Sequence, residues 1–307
     1  MPHRRRATQY WPVKMHADQA DITAEEVARL VADQFPDWAP LPVRPIASPG
    51  TVNALFRLGE DVVLRFPLRP NRDETLRAEL ADEQDRCRLV ADRLPVPVPE
   101  PLGLGRPGPG YDGWWSAYRW IDGETAYGAD IADQRGLARD LAGFVRALWR
   151  VDTDGRAWDE TARGGRLSEF ADGVADALSR SVELTDTTAI DALWRRCLLA
   201  PEPETRHWIH ADLMPGNLLL REGRLAAVID LEMLRVADPA VDLMPAWNLF
   251  DAAARDTYRR ELGVDDATWE RGRGWALAQA IIALPYYVDT NPVMADTARH
   301  TLDALLE

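Results

Sequence analysis

Lysine is nearly absent from this chain. Of its 36 basic side chains a single one, Lys14, is a lysine, and the rest are arginine. A Walker A loop, a Schiff-base lysine and a Ser-x-x-Lys nucleophile each need a lysine within the folded region, which excludes all three. Any phosphate clamp must therefore use arginine, which is always charged and binds through a two-pronged fork. Cysteine is scarce as well. Cys87 and Cys197 are too few for a disulfide framework and lack the spacing of a metal knuckle, which fits a reducing compartment. Five histidines leave a two-metal hydrolase cluster short of ligands. No apolar run reaches the roughly 18 residues of a membrane span, so no membrane partner is expected. Arg4, Arg5 and Arg6 are followed by no apolar stretch in Ala7 to Gln19, which argues against an export signal and for a cytoplasmic location.

What is present suits a folded protein. A chain of 307 residues with 46% hydrophobic content can bury a sizeable core, in one large domain or in two lobes sharing a cleft. Asp and Glu outnumber Lys and Arg by 50 to 36. Such a surface repels nucleic-acid backbones and favours cationic or metal-chelated small partners, although charge of this kind also serves solubility.

Residues 1–14 read as an irregular leader. A helix is expected from Thr23, closed by a capping box with Glu26, burying Val27, Leu30, Val31 and Phe35. The five prolines of residues 36–49 break the pattern. Two strand-like runs, 53–58 and 61–68, are joined through Gly59 and Glu60, with Ser48 to Asn53 as a loop at the rim of the sheet. A long helix over residues 73–94 places Glu83 on its apolar stripe, either buried, with Arg65 as its partner, or at the rim in water. The run Gly103-Leu-Gly-Arg-Pro-Gly108 matches G-x-G-x-x-G literally. Prolines precede and interrupt it, so a glycine-rich turn is expected and not a dinucleotide site. Trp114 to Trp120 reads as a strand, and Asp122-Gly-Glu124 as a hinge. From Asp130 the pattern is helical, with Leu137, Leu141, Phe144, Val145 and Leu148 on one face. The expected fold class is α+β, with a nucleotide-binding region over residues 15–120 and a mainly helical catalytic and substrate-binding region over 121–307.

Residues 207–242 carry the chemistry. Two strands, 217–221 and 224–230, turn at Glu222-Gly223; a two-residue loop puts Asn217 opposite Val228 and on one face with Asp230, diagonally within roughly 7 to 8 Å. An amide carbonyl with a carboxylate suits a hard divalent ion such as Mg2+. Asp212, five residues before Asn217, can reach the same place while orienting a hydroxyl. Singly, each has an ordinary reading: a turn acid, an amide serving its own backbone, an acid that ends a strand. Together, Asp-x-x-x-x-Asn, hairpin, Asp is the order of base and metal ligands in kinase phosphoryl transfer.

The segments His210-Ala-Asp-Leu-Met-Pro-Gly-Asn-Leu-Leu219, Val228-Ile-Asp230 and Ala237-Asp-Pro-Ala-Val-Asp-Leu243 resemble the aminoglycoside and macrolide antibiotic phosphotransferases, which have a two-lobed protein-kinase-like fold. The likeness extends through Gly50–Gly59, Val63–Pro67 and Trp115–Glu124. It implies Asp212 as catalytic carboxylate, and Asn217 and Asp230 as Mg2+ ligands. It further implies Gly50, Thr51, Asn53, Arg65 and Glu83 as nucleotide-binding residues, with Arg65 in the place of the usual lysine. His210 would brace the catalytic loop and Asp242 would hydrogen-bond its backbone. Glu232, an acid where glycine is common, touches on metal binding or substrate recognition. The implied reaction moves the γ-phosphoryl group of ATP or GTP to a hydroxylated, cationic small molecule. The alternatives are a homoserine, choline or sugar kinase, a metal-dependent phosphodiesterase or phosphatase, and a catalytically silent nucleotide-binding module. The acids after Asp122, among them Asp251 and Asp256, suggest an acidic wall for the acceptor, and Trp247, Phe250, Tyr286 and Tyr287 an aromatic one.

Overall fold

In a computed structural model, which describes residues 19–48, 50, 52–127, 129–158 and 160–307, Thr23 opens the first helix, α1 (Ala24–Gln34). The expected leader, Lys14 and Thr51 lie outside the described residues. The capping box is formed: the Glu26 amide donates to Thr23 Oγ1 at 3.3 Å, and the Thr23 amide to Glu26 Oε2 at 2.8 Å. Two of the four orphan amides of the helix start are thereby satisfied. The chain divides into two units, one comprising the described residues up to Ala78 with Leu102–Trp120, the other Glu79–Pro101 with Ile121–Glu307. Glu79–Pro101, expected from sequence in the first region, groups with the second.

The first unit is built on a sheet of β1 (Val43–Ile46), β2 (Asn53–Leu58), β3 (Val62–Pro67), β4 (Pro101–Gly105) and β5 (Trp115–Arg119), in the order β1-β2-β3-β5-β4. The β2–β3 hairpin closes with Leu58 opposite Val62, so its turn takes in Asp61 as well as Gly59 and Glu60. Gly59 sits at φ 57°, which only glycine adopts at no steric cost. Phe56, Leu64, Phe66 and Trp115 form a core with Val27, Leu30 and Val31 of α1, and Phe66 stacks on Trp115 at 4.9 Å.

Two strands here run against the sequence expectation. β1 contains Pro45, but among the described residues it is an edge strand with a neighbour on one side, and a missing amide is tolerated there. The expected glycine-rich turn at 103–108 begins as β4. A Cβ on Gly105 would lie 1.8 Å from the Trp115 ring, so glycine there admits the indole and does not make a turn.

α2 (Glu74–Ala91) buries Glu83, Gln84, Cys87 and Val90, and Glu83 is only 2% exposed, so it lies on the buried stripe and not at its rim.

In the second unit β6 (Glu124–Thr125), β8 (Leu218–Arg221) and β9 (Arg224–Val228) form one small sheet, and β7 (His207–Ile209) pairs with β10 (Arg235–Ala237). Around them lie α3 (Gln134–Trp149), α4 (Ala171–Arg180), α5 (Thr187–Cys197), α6 (Pro245–Asn248), α7 (Ala252–Leu262), α8 (Asp266–Tyr287) and α9 (Pro292–Leu306). The five apolar positions read from the sequence of α3 are all buried. Asp133, Asp186, Asp251 and Asp265 each cap a helix with the side chain, so part of the acidic excess serves helix starts. Among the described residues no helix is long and apolar enough to cross a membrane.

Candidate active site

β7 ends at Ile209, and residues 210–217 cross from it to β8. Ala211 stands at φ 67°, a left-handed conformation that a residue with a Cβ adopts at a cost of roughly 1–2 kcal/mol. Asp242 holds it there. Its carboxylate accepts the His210 amide at 3.1 Å and the Ala211 amide at 3.0 Å. Asp242 has no exposure to solvent; burial pushes its carboxyl up to about 6, against the opposing pull of the donors around it. The Asp242 carbonyl in turn accepts the Tyr258 hydroxyl at 2.7 Å. The turn that carries Asp242 is itself anchored through Asp238, which accepts the Ala240 amide and pairs twice with the buried guanidinium of Arg271, at 2.8 and 3.2 Å.

His210 is buried inside this loop. Its Nδ1 lies 3.2 Å from the Asp212 amide and its Nε2 3.0 Å from the Ile229 carbonyl. An amide can only donate and a carbonyl can only accept, so the ring is neutral, with its hydrogen on Nε2. From behind, the Asn248 amide of α6 donates to the Leu213 carbonyl at 3.2 Å.

The Asp212 carboxylate emerges from this loop half-buried. Its Oδ1 accepts from Arg163 Nη1 at 2.6 Å and from Gln279 Nε2 at 3.1 Å, and its Oδ2 accepts from Asn217 Nδ2 at 3.0 Å. Asn217 Nδ2 also donates to the Asp212 carbonyl at 2.8 Å. A carboxylate oxygen offers two lone-pair sites, so among the described residues Oδ1 is filled and Oδ2 keeps one place for a further donor.

With both amide hydrogens of Asn217 turned to Asp212, the polar atom it has left is the carbonyl Oδ1, the atom a hard cation takes. Asn217 does not pair with Val228 as the sequence suggested. Leu218 does, because a bulge between Leu219 and Leu220 shifts the register by one residue, and Asn217 closes a 3-10 turn before β8. Its carbonyl accepts the Ile229 amide at 2.9 Å, and Asp230 follows immediately at φ 65°, in the left-handed region. The donor set, one amide oxygen and one carboxylate, suits Mg2+, which keeps waters and takes its other ligands from substrate phosphates.

Tyr127 packs against this turn: a Cβ on Gly216 would lie 2.3 Å from its ring. Burial, reinforced by the charge of Asp212, pushes the Tyr127 phenol up to about 12, and it donates to Met294 Sδ at 3.3 Å. Glu232 is exposed, and its carbonyl accepts from Arg86 at 3.2 Å. In the first unit the Gly50 amide donates to Ser48 Oγ at 3.0 Å, Asn53 opens β2, and Arg65 on β3 lies over the Tyr118 ring at 5.7 Å. Trp247 and Phe250 are core residues, against Trp269 and Tyr258, and line no acceptor wall. Asp251 is taken up in capping α7. Arg163, Gln279 and Tyr127 were not foreseen from the sequence; they come from segments 49, 67 and 85 residues from Asp212. No local pattern links such positions.

The chain is similar to known proteins. Residues 43–275 match the model of the "phosphotransferase enzyme family". An aminoglycoside 3'-phosphotransferase of Escherichia coli is 26% identical over 200 residues, 61% of this chain and 71% of that protein. Among solved structures, the GDP and kanamycin complex of APH(2")-IIia superposes with a TM-score of 0.68 at 20% identity, covering 91% of this chain and 96% of that one. The macrolide 2'-phosphotransferase of Brachybacterium faecium gives 0.62 at 19% identity, covering 92% and 97%. The fold is thus the kinase-like α+β fold expected from the motifs.

Proposed function

The chain belongs to the phosphotransferase enzyme family, and on that premise we propose that it transfers the γ-phosphoryl group of ATP or GTP to a hydroxyl of an aminoglycoside or macrolide antibiotic. The observation that carries the reading is the Asp212–Asn217 contact at 3.0 Å, which joins a carboxylate with room for one more donor to an amide with a carbonyl left for a cation. The named substrates of the similar proteins, kanamycin in one and a macrolide in another, support an antibiotic acceptor.

In this mechanism Asp212 Oδ2 accepts a hydrogen bond from the acceptor hydroxyl and takes its proton as the new O–P bond forms. The bond from the γ-phosphorus to the bridging oxygen breaks, and the nucleoside diphosphate leaves. Such transfer depends mainly on positioning and charge stabilisation, so a carboxylate held by three donors suits the task. Asn217 and Asp230 would hold Mg2+, which neutralises phosphate charge when bound. Arg65 is the proposed phosphate-facing cation, with Gly50, Thr51, Asn53 and Glu83 as further nucleotide-binding residues. His210 and Asp242 act through the loop backbone, and Glu232 stands by the metal ligands in sequence. An acceptor carrying ammonium groups fits the acidic balance of the chain, and the lack of an apolar run after Arg4, Arg5 and Arg6 supports a cytoplasmic location.

The test is a matrix of ATP and GTP with Mg2+ against kanamycin, other aminoglycosides, macrolides and hydroxylated metabolites, scored by the mass gain of one phosphate. Phosphorylation of an antibiotic is expected. Transfer to metabolites alone would overturn the antibiotic reading, and transfer to none would overturn the phosphotransfer reading.

A further inference from the structure

The loop before α4 ends in Arg163-Gly164-Gly165-Arg166, and its shape is over-determined. The Gly164 carbonyl accepts the Trp158 indole N–H at 3.0 Å and the Asp238 amide at 2.9 Å. The Arg166 amide closes onto the Glu160 carbonyl at 2.7 Å and the Gly165 amide onto the Ala162 carbonyl, also at 2.7 Å. Gly164, at φ 87°, presses so closely on β7 and β10 that a Cβ would come within 2.7 Å of Ile209 and of Ala237. A loop fixed in this way aims Arg163 at one place. Its Nη1 donates to the Ala211 carbonyl at 3.2 Å and to Asp212 Oδ1 at 2.6 Å.

We propose that Arg163 is a positioning residue for phosphoryl transfer: with Gln279 it occupies Oδ1 of Asp212 and so presents Oδ2 to the acceptor hydroxyl. The inference rests on Asp212 being the carboxylate that receives the acceptor proton. One feature separates this role from a structural ion pair. Among the described residues both lone-pair sites of Oδ1 are used while one on Oδ2 stays open, an asymmetry that stability does not require and an oriented base does. A carboxylate without these two donors can rotate about its Cβ–Cγ bond, and a misplacement of about 1 Å can lower a rate on the order of 100-fold.

The experiment compares wild type, D212N, R163Q, R163K and Q279L with Mg2+ and whichever nucleotide and antibiotic the matrix above identifies. For R163Q the expected result is a kcat lower by about 10- to 100-fold, with both KM values within about twofold. R163K, which keeps the charge and a donor, should recover part of the loss, and thermal unfolding should stay near wild type. An unchanged kcat in R163Q overturns the proposal. So does a raised kcat or a lowered acceptor KM, which would mean that the guanidinium occupies the place of the acceptor. Should R163Q fail to fold, R163K and Q279L are read instead: a fall in kcat at steady KM supports the role, and no fall overturns it. Wild type without transfer, or an active D212N, defeats the reading of Asp212 itself. An inactive D212N beside a fully active R163Q defeats only the role of Arg163.

Discussion

The Asp242 carboxylate, sealed from solvent, accepts the amide of His210 at 3.1 Å and so holds the loop that carries Asp212. Burial raises its carboxyl from 3.8 to about 6, so the folded chain holds this proton more tightly than the unfolded chain does. The contribution of the group is therefore fully present below about pH 4 and is lost as pH rises through 6. Measured by urea denaturation, the stability of wild type relative to Asp242→Asn should fall by on the order of 1 kcal/mol between about pH 5 and pH 7. A difference that stays level across that range would contradict the assignment.

Asp212→Asn and Asp230→Ala should separate two roles. The first is expected to lose about 10²- to 10⁴-fold in turnover with nucleotide affinity close to wild type, because in the proposed mechanism the carboxylate serves the hydroxyl. The second should raise the Mg2+ concentration needed for half-maximal rate. Magnesium titration of both variants checks the division; a wild-type magnesium curve for Asp230→Ala would rule out its part in the ion site.

Gly216→Ala puts a methyl group where the Tyr127 ring lies, 2.3 Å away. The ring or the turn bearing Asn217 must shift, with a stability loss of about 1–3 kcal/mol and a lower kcat. Thermal unfolding and steady-state rates measure both. Full recovery in a Tyr127→Leu, Gly216→Ala double variant would trace the effect to this contact, and no recovery would place it elsewhere.

Arg271→Ala leaves the Asp238 carboxylate buried with its charge partner gone. A loss of about 3–5 kcal/mol is expected, larger than for any exposed ion pair of the chain. A urea midpoint close to wild type would show that water reaches Asp238 and replaces the guanidinium.

Local patterns carried much of this molecule. The Thr23–Glu26 box, the apolar face of α3 and the buried position of Glu83 were legible because each depends on neighbours within a few residues. What escaped depends on distant partners. β1 was hidden by Pro45, tolerated because β1 ends the strand order among the described residues, and β4 by its glycines, of which Gly105 makes room for Trp115. The bulge at Leu219/Leu220 has no residue signature, and it moved Asn217 by one pairing step. Arg163 and Gln279 reach Asp212 from elements that only the tertiary fold brings near, and the same packing buried Trp247 and Phe250.

Among the described residues the strand order β1-β2-β3-β5-β4 ends on β1 and β4, and each of these edge strands contains a proline, Pro45 in β1 and Pro101 in β4. A proline offers no hydrogen to an incoming chain, and Arg44 adds a charge beside the first of them. Another copy of this protein that tried to extend the sheet would meet an interrupted ladder on either side. The sheet is thereby guarded against growth into fibres, and crowding should not turn its edges into seeds for aggregation.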